Sequence, residues 1–508
     1  MALDAMRKDL VVGVVGAGAM GRGIAQVAAV GGCIVKLYDA KEDAAKEAQI
    51  FIQKMLNRNA EKGRMAQEDA EDAAARIEVV SSMSEFRESH CVIEAVVESL
   101  DVKRAVFKEL ESIVSSDCVI ATNTSSLSVS TIAAACEKPS RVAGLHFFNP
   151  VPLMKLVEVI DGILTDPKVA DFLMVLGRRL GRESVRVKDA PGFLVNQVGR
   201  GYNIEAAHIA MDGIADIEDI DRILRDAVGF RMGPFQLLDL TALDVTHPAT
   251  ELIYKQFYHE PRFRPATMLQ MRLDAGLLGS KVGRGFYSYD EGKVQLVEEG
   301  IVPEYDGRAV WISKVIPEFF EKIRLIVENA GAPIDKGDIP DDESLILVTP
   351  LGDDATTAST DQGLDPNRTI AVDCLFGLEK RRTLMKTTIT DPIFTASAHG
   401  LFGGGKVPAT VIHDTPGFIA QRVVAAICNI GCSVAQQRTA APEDIDKAVK
   451  LGLNYPKGPL EFGDFVGADK IVTILKNIYK LTGDPRYRLV PWLRRRAQLG
   501  VSLLTQEN

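Results

Sequence analysis

The sequence has few cysteines for its length and no long hydrophobic run. Seven cysteines are scattered over 508 residues without a Cys-x-x-Cys pair, so we expect neither a disulfide framework nor a structural metal. No uninterrupted apolar stretch reaches the roughly 18 residues that a membrane-spanning helix requires. The segment Met1–Asp9 is short and mixed in charge, which argues against a secretory signal. These absences predict a cytoplasmic protein without a membrane partner.

Positive charge is also scarce, because 59 Lys and Arg residues face 69 Asp and Glu residues, a formal net charge of −10. An acidic surface repels nucleic acid, so nucleic acid is not an expected partner. Hydrophobic residues make up 46% of the chain and charged residues 25%, which is typical of a folded protein. At roughly 150 residues per domain, the length predicts about three or four domains.

A glycine-rich turn follows the first apolar segment. Leu10–Val15 is typical of a buried strand, and the residues after the turn are small and apolar, as in a helix packed on a sheet. The first glycine would permit the tight turn, the second would let a pyrophosphate approach the backbone, and the third would let the helix pack closely. Free N–H groups at the helix start would bind the phosphates. The predicted cofactor-binding residues of this turn are Gly16, Gly18, Ala19, Met20 and Gly21.

A carboxylate ends the second predicted strand. The apolar segment Cys33–Tyr38 follows the helix, and Asp39 comes directly after it, where a carboxylate can accept hydrogen bonds from both ribose hydroxyls. The same carboxylate would repel the additional phosphate of NADP, so the residues favour NAD. FAD remains the alternative dinucleotide at this point.

Strands and helices continue to alternate along the next hundred residues. The segments 91–96, 118–123 and 141–147 are typical of buried strands, and 101–114 has helical periodicity. This alternation predicts an α/β Rossmann-type, doubly wound and mostly parallel sheet. Because ligands lie beyond the carboxyl ends of such strands, we expect the polar residues at those ends to share one rim. These residues are Asp39, Glu98, Asn123, Ser125 and His146.

A histidine and a glutamate form the most informative pair in the chain. His146 precedes a loop with two prolines, and Glu158 lies inside the apolar segment Lys155–Ile160. A carboxylate in such a strand is costly unless it is paired. A neighbouring imidazole would satisfy it, and the carboxylate would orient the ring and stabilise the imidazolium during proton transfer. The alternative is a core histidine and a solvated edge carboxylate, but a nearby dinucleotide site favours the pair.

Six long motifs resemble the L-3-hydroxyacyl-CoA dehydrogenase family of fatty-acid and aromatic-acid degradation. The resemblance covers residues 10 to about 290, and the motifs follow the order of the family. They are GAGAMG at 16–21, NTSSL at 123–127, HFFNPVPLMKLVEV at 146–159, DAPGFLVNQV at 189–198, DIDRILRDAVGFRMGPFQLLDL at 219–240 and KVGRGFYSY at 281–289.

The resemblance implies catalytic roles for the residues that match these motifs. His146 is expected to be the general base that removes the proton from the 3-hydroxyl of the substrate, with Glu158 as its orienting partner. Ser125 and Asn196 are expected to hydrogen-bond the reacting oxygen or the thioester region. The alternatives are a turn residue for Ser125 and a local backbone contact for Asn196.

The resemblance also implies binding roles. Glu98, Lys103 and Asn123 are expected near the nicotinamide half of NAD, although Glu98 and Lys103 could instead be an ordinary surface pair. Basic residues of the helical stretch 41–64 are candidates for the phosphates of CoA, with a solvated charged face as the alternative; they are Lys46, Lys54, Arg58, Lys62 and Arg64. Arg200 and Arg231 are candidates for the additional carboxylate of an adipyl substrate. Asn149, like Ser125, is a further predicted substrate contact.

The chain contains an internal repeat. Residues 189–254 align without a gap on 414–479, and a weaker match extends the repeat toward residue 309. The second copy places Cys374 against His146, Gly377 against Asn149 and Gln421 against Asn196. No glycine-rich turn precedes it, and the sequence leaves no apparent room for one. We therefore expect one active site per chain.

Four domains follow from the motifs and the repeat. They are an NAD-binding Rossmann domain at 1–187, an all-α domain at 188–290, a degenerate half-Rossmann remnant at 291–412 and a second all-α domain at 413–508. Because single-copy members of the family pair through their helical domains, the two helical copies are expected to form an internal pseudo-dimer. A further homo-oligomer is an additional possibility.

The predicted function is NAD-dependent oxidation of an L-3-hydroxyacyl-CoA to a 3-oxoacyl-CoA. The resemblance favours 3-hydroxyadipyl-CoA or 3-hydroxybutyryl-CoA as substrate, in bacterial phenylacetate or fatty-acid degradation. The alternatives are a non-catalytic NAD-binding structural protein and a related dehydrogenase of sugars or hydroxy acids.

Overall fold

The computed structural model describes residues 3–507. The chain forms two compact units, one built from the residues up to 197 together with 434–453, the other from 198–433 together with the residues from 454 onward. No helix of the described residues has both the length and the apolar character needed to cross a bilayer.

The first unit contains an eight-stranded sheet. Its strands are β1 (Val11–Val15), β2 (Ile34–Tyr38), β3 (Ile77–Val79), β4 (Cys91–Glu94), β5 (Val119–Thr122), β6 (Val142–Phe147), β7 (Leu156–Asp161) and β8 (Glu183–Lys188). Their order is β3-β2-β1-β4-β5-β6-β7-β8. All neighbouring pairs are parallel except β6 and β7, which are antiparallel. The central strands are mostly apolar because helices cover both faces of the sheet, and their polar residues lie near the carboxyl ends.

The helices of this unit form two layers. They are α1 (Ala19–Val30), α2 (Ala44–Glu61), α3 (Gln67–Ala75), α4 (Leu100–Ile113), α5 (Val129–Ala133) and α6 (Pro167–Arg179). Helices α1 and α6 share one core with the sheet, through side chains such as Ile24 and Leu176. Helix α4 packs on the opposite face through Phe107 and Leu110. The predicted Rossmann-type sheet is confirmed.

The segment after β8 is helical, as predicted. Its helices are α7 (Val195–Met211), α8 (Ile217–Arg222), α9 (Pro234–Thr241), α10 (Leu243–Gln256) and α11 (Thr267–Asp274), followed by the hairpin strands β9 (Ser288–Asp290) and β10 (Lys293–Gln295). A π-helical turn, Ile223–Val228, continues α8.

The second unit contains a six-stranded sheet. Its elements are β11 (Val310–Ile312), α12 (Pro317–Asn329), β12 (Ile334–Asp335), β13 (Leu345–Val348), α13 (Ala355–Thr360), β14 (Thr369–Val372), β15 (Arg382–Lys386), α14 (Pro392–Gly403) and β16 (Ala409–Ile412). The order is β12-β11-β13-β14-β15-β16, and only β14 and β15 are antiparallel. This sheet repeats the first one without a counterpart of β3 and β4 among residues 3–507.

The second sheet begins with a β-α-β unit, and this corrects one expectation. Helix α12 shares a core with α14, as α1 does with α6, so β11-α12-β12 stands where β1-α1-β2 stands in the first sheet. There is therefore room for a dinucleotide turn. The connection from β11 to α12 is instead Ser313-Lys-Val-Ile316, which has no glycine and cannot provide the close backbone approach that a pyrophosphate needs.

Strand pairing also corrects the predicted alignment of the two copies. His146 lies opposite Glu158 in the β6–β7 pair, whereas the backbone N–H of Asp373 donates to the Thr383 carbonyl beyond the β14–β15 pair. Thr165 donates to the Val142 carbonyl in the first copy, and Thr390 donates to the Thr369 carbonyl in the second. Val142 therefore corresponds to Thr369.

The corrected shift is 227 residues in this region, so Asp373 stands where His146 stands. The predicted match of His146 with Cys374 is wrong by one residue. That alignment was based on amino-acid similarity, whereas the pairing of the strands determines the register. Asn149 lies in the loop after β6, which the strand pairs do not include, so its match with Gly377 stays a prediction. Gln421 still corresponds to Asn196.

The Asp373 side chain is fully buried. Its Oδ1 accepts hydrogen bonds from the Leu375 N–H at 3.0 Å and from Gln421 Nε2 at 3.1 Å, while Oδ2 has no partner within 3–507. Burial raises the pKa of Asp373 to about 6. Gln421 also donates to the Pro350 carbonyl and accepts from the Gly352 N–H. A carboxyl therefore stands in the place of His146, and it is bonded to the amide that stands in the place of Asn196.

We expect the variant Asp373→Asn to make stability less dependent on pH. The pKa of Asp373 is raised from 3.8 to about 6 in the folded state, so its contribution to stability is present below pH 3.8 and is lost as the pH rises through about 6. Relative to the variant, the wild type should lose up to about 3 kcal/mol between pH 4 and pH 7. Urea unfolding at several pH values measures this difference. The exposed Asp342→Asn is the matched control, and equal pH slopes for all three proteins would contradict the expectation.

The remaining helices are α15 (Ala420–Gln436), α16 (Pro442–Leu453), α17 (Pro459–Val466), α18 (Ala468–Thr482) and α19 (Pro491–Leu499). Helix α16 belongs to the first unit and packs against β7 and β8. A Cβ on Gly452 of this helix would lie 3.0 Å from Val195 and 3.1 Å from Leu156. The corresponding helix of the first copy, α8 with its π turn, packs beside β15 in the second unit, where Asp226 pairs with Arg381 at 2.9 Å.

Candidate active site

The turn between β1 and α1 has the geometry of a dinucleotide site. Gly16 has φ +101°, and a Cβ there would lie 2.5 Å from the Ala95 carbonyl oxygen. A Cβ on Gly21 would lie 1.7 Å from the Gly16 carbonyl oxygen. A Cβ on Gly18 would meet no heavy atom within 4 Å, so this glycine faces open space. The first and third glycines are therefore required by the fold, and the second leaves room for a ligand.

The start of α1 and the end of β2 complete this site. Gly18 caps α1 without a side-chain hydrogen bond, which leaves the amides of Ala19 and Met20 for an anion. Asp39 Oδ2 accepts from the Ala17 N–H at 2.7 Å, and Oδ1 accepts from the Lys41 N–H at 2.8 Å. These two bonds hold the carboxylate beside the glycine turn. The residues present fit NAD.

Glu98 organises the loop after β5. Its Oε1 accepts hydrogen bonds from Thr124 Oγ1 at 2.6 Å, from the Ser125 N–H at 3.0 Å and from the Ser126 N–H at 3.1 Å. Burial raises the pKa of Glu98, but Lys103, 3.3 Å away, and these hydrogen bonds outweigh burial and lower it overall. Glu98 is therefore a carboxylate at neutral pH.

Lys103 is buried and is held mainly by a residue that sequence reasoning missed. Its Nζ lies 2.7 Å from Glu94 Oε1, and Glu94 is fully buried at the end of β4. Thr122 Oγ1 and the Val96 N–H also donate to Glu94. The signal was present in the sequence, because a Glu inside an apolar strand with a Lys nine positions later indicates a buried ion pair. The alternative of an exposed Glu98–Lys103 surface pair does not fit this burial.

His146 and Glu158 are hydrogen-bonded. Nδ1 of His146 lies 2.6 Å from Glu158 Oε2, because the antiparallel β6–β7 pairing places the two residues opposite each other. Glu158 Oε1 accepts from the N–H groups of Leu194 and Val195 at the start of α7, at 3.2 and 2.9 Å. The carboxylate is fixed by the helix start and in turn fixes the imidazole.

The second nitrogen of the imidazole is left for a ligand. The His146 ring packs against Phe148, with ring centres 4.5 Å apart, and against Phe193 at 5.8 Å. The residue is 4% exposed, and Nε2 has no hydrogen-bond partner among the described residues. A histidine held in this way can accept a proton at Nε2 while Nδ1 remains bound to a carboxylate.

Ser125 and Asn196 lie next to each other. Asn196 Nδ2 is 3.4 Å from the Ser125 carbonyl oxygen, which connects the start of α7 with the loop after β5. Asn123 Oδ1 accepts from the Phe147 N–H at 2.8 Å, which connects the same loop with the strand that carries His146. The structure thus brings these polar residues together with Glu98 in one group.

The residues predicted to contact CoA lie outside this polar group, and only some of them line a common cavity. A cavity of about 370 Å³ is lined by α1, by the end of α2 and by the loop 149–153. Asn149 and Arg58 line it, but Lys54 does not. The predicted candidates Lys62 and Arg64 line it as well, together with Arg22, which was not predicted. Arg231 belongs to the second unit and is exposed there.

A Rossmann sheet with a dinucleotide turn and a histidine paired with a buried carboxylate are the features of an NAD-dependent dehydrogenase. Comparison with protein families agrees. The model of the 3-hydroxyacyl-CoA dehydrogenase NAD-binding domain matches residues 11–190, and that of the C-terminal domain matches 192–289 and 417–503. The chain belongs to the 3-hydroxyacyl-CoA dehydrogenase family. The predicted family, its NAD-dependent reaction and the cofactor are confirmed.

This chain is similar to several curated proteins and solved structures. The 3-hydroxyadipyl-CoA dehydrogenase of Escherichia coli K12 is 34% identical over 96% of this chain and 97% of its own length. A probable 3-hydroxybutyryl-CoA dehydrogenase of Bacillus subtilis is 39% identical over 55% of this chain and 96% of its own. Among solved structures, 3-hydroxybutyryl-CoA dehydrogenase of E. coli K12 has a TM-score of 0.85 at 34% identity, covering 97% of this chain and 99% of its own.

Proposed function

We propose that His146 is the general base of the dehydrogenation and that Glu158 is its positioning partner. The observation that carries this proposal is the 2.6 Å contact between His146 Nδ1 and Glu158 Oε2, with Glu158 itself fixed by two backbone N–H groups. Nε2 accepts the proton of the 3-hydroxyl, and the carboxylate stabilises the imidazolium that forms. NAD, when bound, accepts the hydride from C3 of the substrate.

The neighbouring residues hold the reactants in place. Ser125 and Asn196 are proposed to hydrogen-bond the reacting oxygen or the thioester, which their position beside one another supports. Glu98 and Asn123 are proposed to lie at the nicotinamide half of NAD. Lys103 is buried, so its proposed contribution is to keep Glu98 ionised and in place.

CoA is proposed to bind at the 370 Å³ cavity. Arg58 lines it together with Lys62 and Arg64, and their positive charges oppose the acidic character of the chain where phosphates would enter. Asn149 lines the same cavity from the loop after β6. Lys54 does not line this cavity and remains a prediction, as does Arg231 for the additional carboxylate of an adipyl substrate.

The proposed substrate is 3-hydroxyadipyl-CoA, with 3-hydroxybutyryl-CoA as the second candidate, in bacterial phenylacetate or fatty-acid degradation in the cytoplasm. The similarity over almost the whole chain to a protein named for the first substrate supports this order. Absorbance at 340 nm reports NADH formation with 3-hydroxyadipyl-, 3-hydroxyhexanoyl- and 3-hydroxybutyryl-CoA. The highest kcat/KM is expected for the adipyl thioester. A higher value for the butyryl thioester would favour the second candidate, and no turnover of any thioester would contradict the function.

Asp39→Ser is expected to weaken the preference for NAD over NADP. The variant removes a carboxylate that is held next to the glycine turn and that we expect to bind the ribose hydroxyls. Loss of a charge-assisted hydrogen bond should raise KM for NAD by roughly tenfold to a hundredfold, while KM for NADP should fall because repulsion of its phosphate disappears. Steady-state rates with both cofactors measure the ratio. Asp43→Ser, an exposed acid nearby, is the control, and an unchanged ratio in Asp39→Ser would refute the role.

The two helical copies are proposed to form an internal pseudo-dimer. In the second unit, a Cβ on Gly201 of α7 would lie 3.0 Å from Ile430 and 3.3 Å from the Cα of Ile427 on α15. Such a close approach favours glycine, because a larger residue would force its neighbours to shift by a few tenths of an ångström. A buried ion pair joins the same two helices, Glu205 with Arg422 at 2.5 Å. These contacts support the pairing of α7 with α15.

A further inference from the structure

The second unit contains a cavity that has no role in the reaction described above. Its volume is about 810 Å³, and it is lined by α12 and by the loop between β14 and β15. Residues 227, 228, 457, 462 and 465 of the two helical copies complete its wall.

This cavity occupies the place that corresponds to the proposed CoA cavity of the first copy. Residues 149–153 of the loop between β6 and β7 line the first cavity. The loop between β14 and β15 takes the corresponding place in the second copy and contains residues 376–380. All five of these residues line the second cavity. Helix α1 lines the first cavity and α12 lines the second, and both helices belong to corresponding β-α-β units. The correspondence therefore holds for two independent elements.

The lining of the second cavity combines cations with apolar side chains. Lys322, Lys380, Arg382 and Lys457 line it, and its single carboxylate is Glu379. Leu325, Phe376 and Phe465 are among its apolar residues. Lys322 pairs with Glu318 and Lys457 with Glu461, so Lys380 and Arg382 carry the charge that has no carboxylate partner among the described residues. In a chain of net charge −10, such positive charge beside an apolar cavity fits an anionic amphiphile.

Arg382 extends this positive charge into a neighbouring cavity of about 670 Å³, which it also lines. Its Nε donates to the Leu378 carbonyl at 3.0 Å and its Nη1 to the Phe402 carbonyl at 2.8 Å. Within residues 3–507 it has no carboxylate partner. A guanidinium held by carbonyl groups alone retains its charge for a phosphate or carboxylate of a ligand. Lys406 lines the neighbouring cavity as well.

We propose that this cavity is a second acyl-CoA site, which binds the thioester without converting it. The proposal rests on the proposed function, because it takes the ligand of the first cavity as the ligand of its counterpart. Turnover is not expected there, since Asp373 stands in the place of the histidine and is bonded to Gln421, and the turn Ser313–Ile316 has no glycine for a dinucleotide. The second copy would thus retain binding after the loss of catalysis.

The test is the number of acetoacetyl-CoA molecules that the full-length protein binds in the absence of cofactor, measured by equilibrium dialysis. The wild type is expected to bind two per chain. The variant K322E/K380E should lose the second site, or weaken it by at least about tenfold, with kcat/KM unchanged. The variant R58E/K62E should lose the first site and most of kcat/KM. The matched control K314E/K336E, which reverses two exposed lysines of the same sheet region outside the cavity, should still bind two.

Binding of one molecule per chain by the wild type, or of two by K322E/K380E, would overturn the proposal. Competition identifies the ligand, since free CoA should displace the thioester from the second site while hexanoate should not. If hexanoate, and not free CoA, displaced acetoacetyl-CoA from the second site, the site would bind carboxylic acids, and the proposal would also be overturned. If R58E/K62E kept full activity and bound two molecules per chain, the first cavity would not be the CoA site of the reaction. The number of molecules bound by K322E/K380E would still decide whether the second cavity binds the thioester.

Discussion

His146→Gln is expected to lower kcat by about 10²- to 10⁴-fold, the range that a general base contributes. Glutamine has no group that can accept the hydroxyl proton near neutral pH, so the hydride would have to leave C3 while the hydroxyl is still protonated. Binding of NADH should be unchanged because the dinucleotide turn between β1 and α1 is separate from the imidazole. Steady-state rates at 340 nm and NADH fluorescence titration measure the two effects.

A matched control separates this loss from a general effect of histidine replacement. His413 is exposed and lies outside the group of polar residues around His146, so His413→Gln should keep the activity of the wild type. If His146→Gln retained turnover within about tenfold, a factor worth only about 1.4 kcal/mol of barrier, His146 would not be the base. Equal losses of kcat and NADH binding would instead indicate that the ring supports the fold.

The first sheet could be predicted from the sequence because its signals are local. Buried parallel strands are continuous apolar runs, and the glycine turn and Asp39 follow them at fixed spacing. The pairing of His146 with Glu158 was predictable for a similar reason, since a carboxylate in an apolar strand requires a partner. Their roles in the reaction remain proposals, which the variants above test.

Other features depend on pairing between distant segments, and the sequence could not supply them. The antiparallel direction of β7 determines that His146 and Glu158 face each other at 2.6 Å. The antiparallel pairing of β14 with β15 likewise places Asp373, and not Cys374, at the position of the second copy that corresponds to His146. Amino-acid similarity cannot resolve a shift of one residue in a short strand, whereas the hydrogen bonds between paired strands do. The packing of α16 on β7 likewise joins segments almost 300 residues apart.

Arg422→Met is expected to cost about 3–5 kcal/mol of folding free energy, because it removes one partner of a buried ion pair. Arg422 and Glu205 are both about 95% buried, and Nε lies 2.5 Å from Oε1. Tyr487 and Arg486 also contact Glu205, at 2.5 and 3.1 Å, so the lower end of that range is the expected value. Urea unfolding of the full-length protein measures the loss.

The dependence of this loss on pH tests its electrostatic origin. Burial raises the pKa of Glu205, but Arg422 and Arg486 outweigh burial and lower it, so in the wild type the pair stabilises the fold above the ordinary pKa of a glutamate and ceases to do so as the pH falls through the lowered one. Without Arg422 the pKa of Glu205 should rise, protonation should become easy, and the loss should shrink near pH 4.

Two further variants test whether the loss of stability in Arg422→Met comes from the ion pair between α7 and α15. Arg324→Met removes a partly exposed arginine that pairs with the exposed Glu321 and Glu328, and the unfolding midpoint should change little, because ion pairs at the surface contribute little. The double variant Glu205→Gln with Arg422→Met leaves no buried carboxylate without its arginine and should recover part of the stability. If Arg422→Met were as stable as Arg324→Met, the buried pair would not hold the two helices together, and the internal pseudo-dimer would have to depend on the glycine contact and the apolar side chains around it.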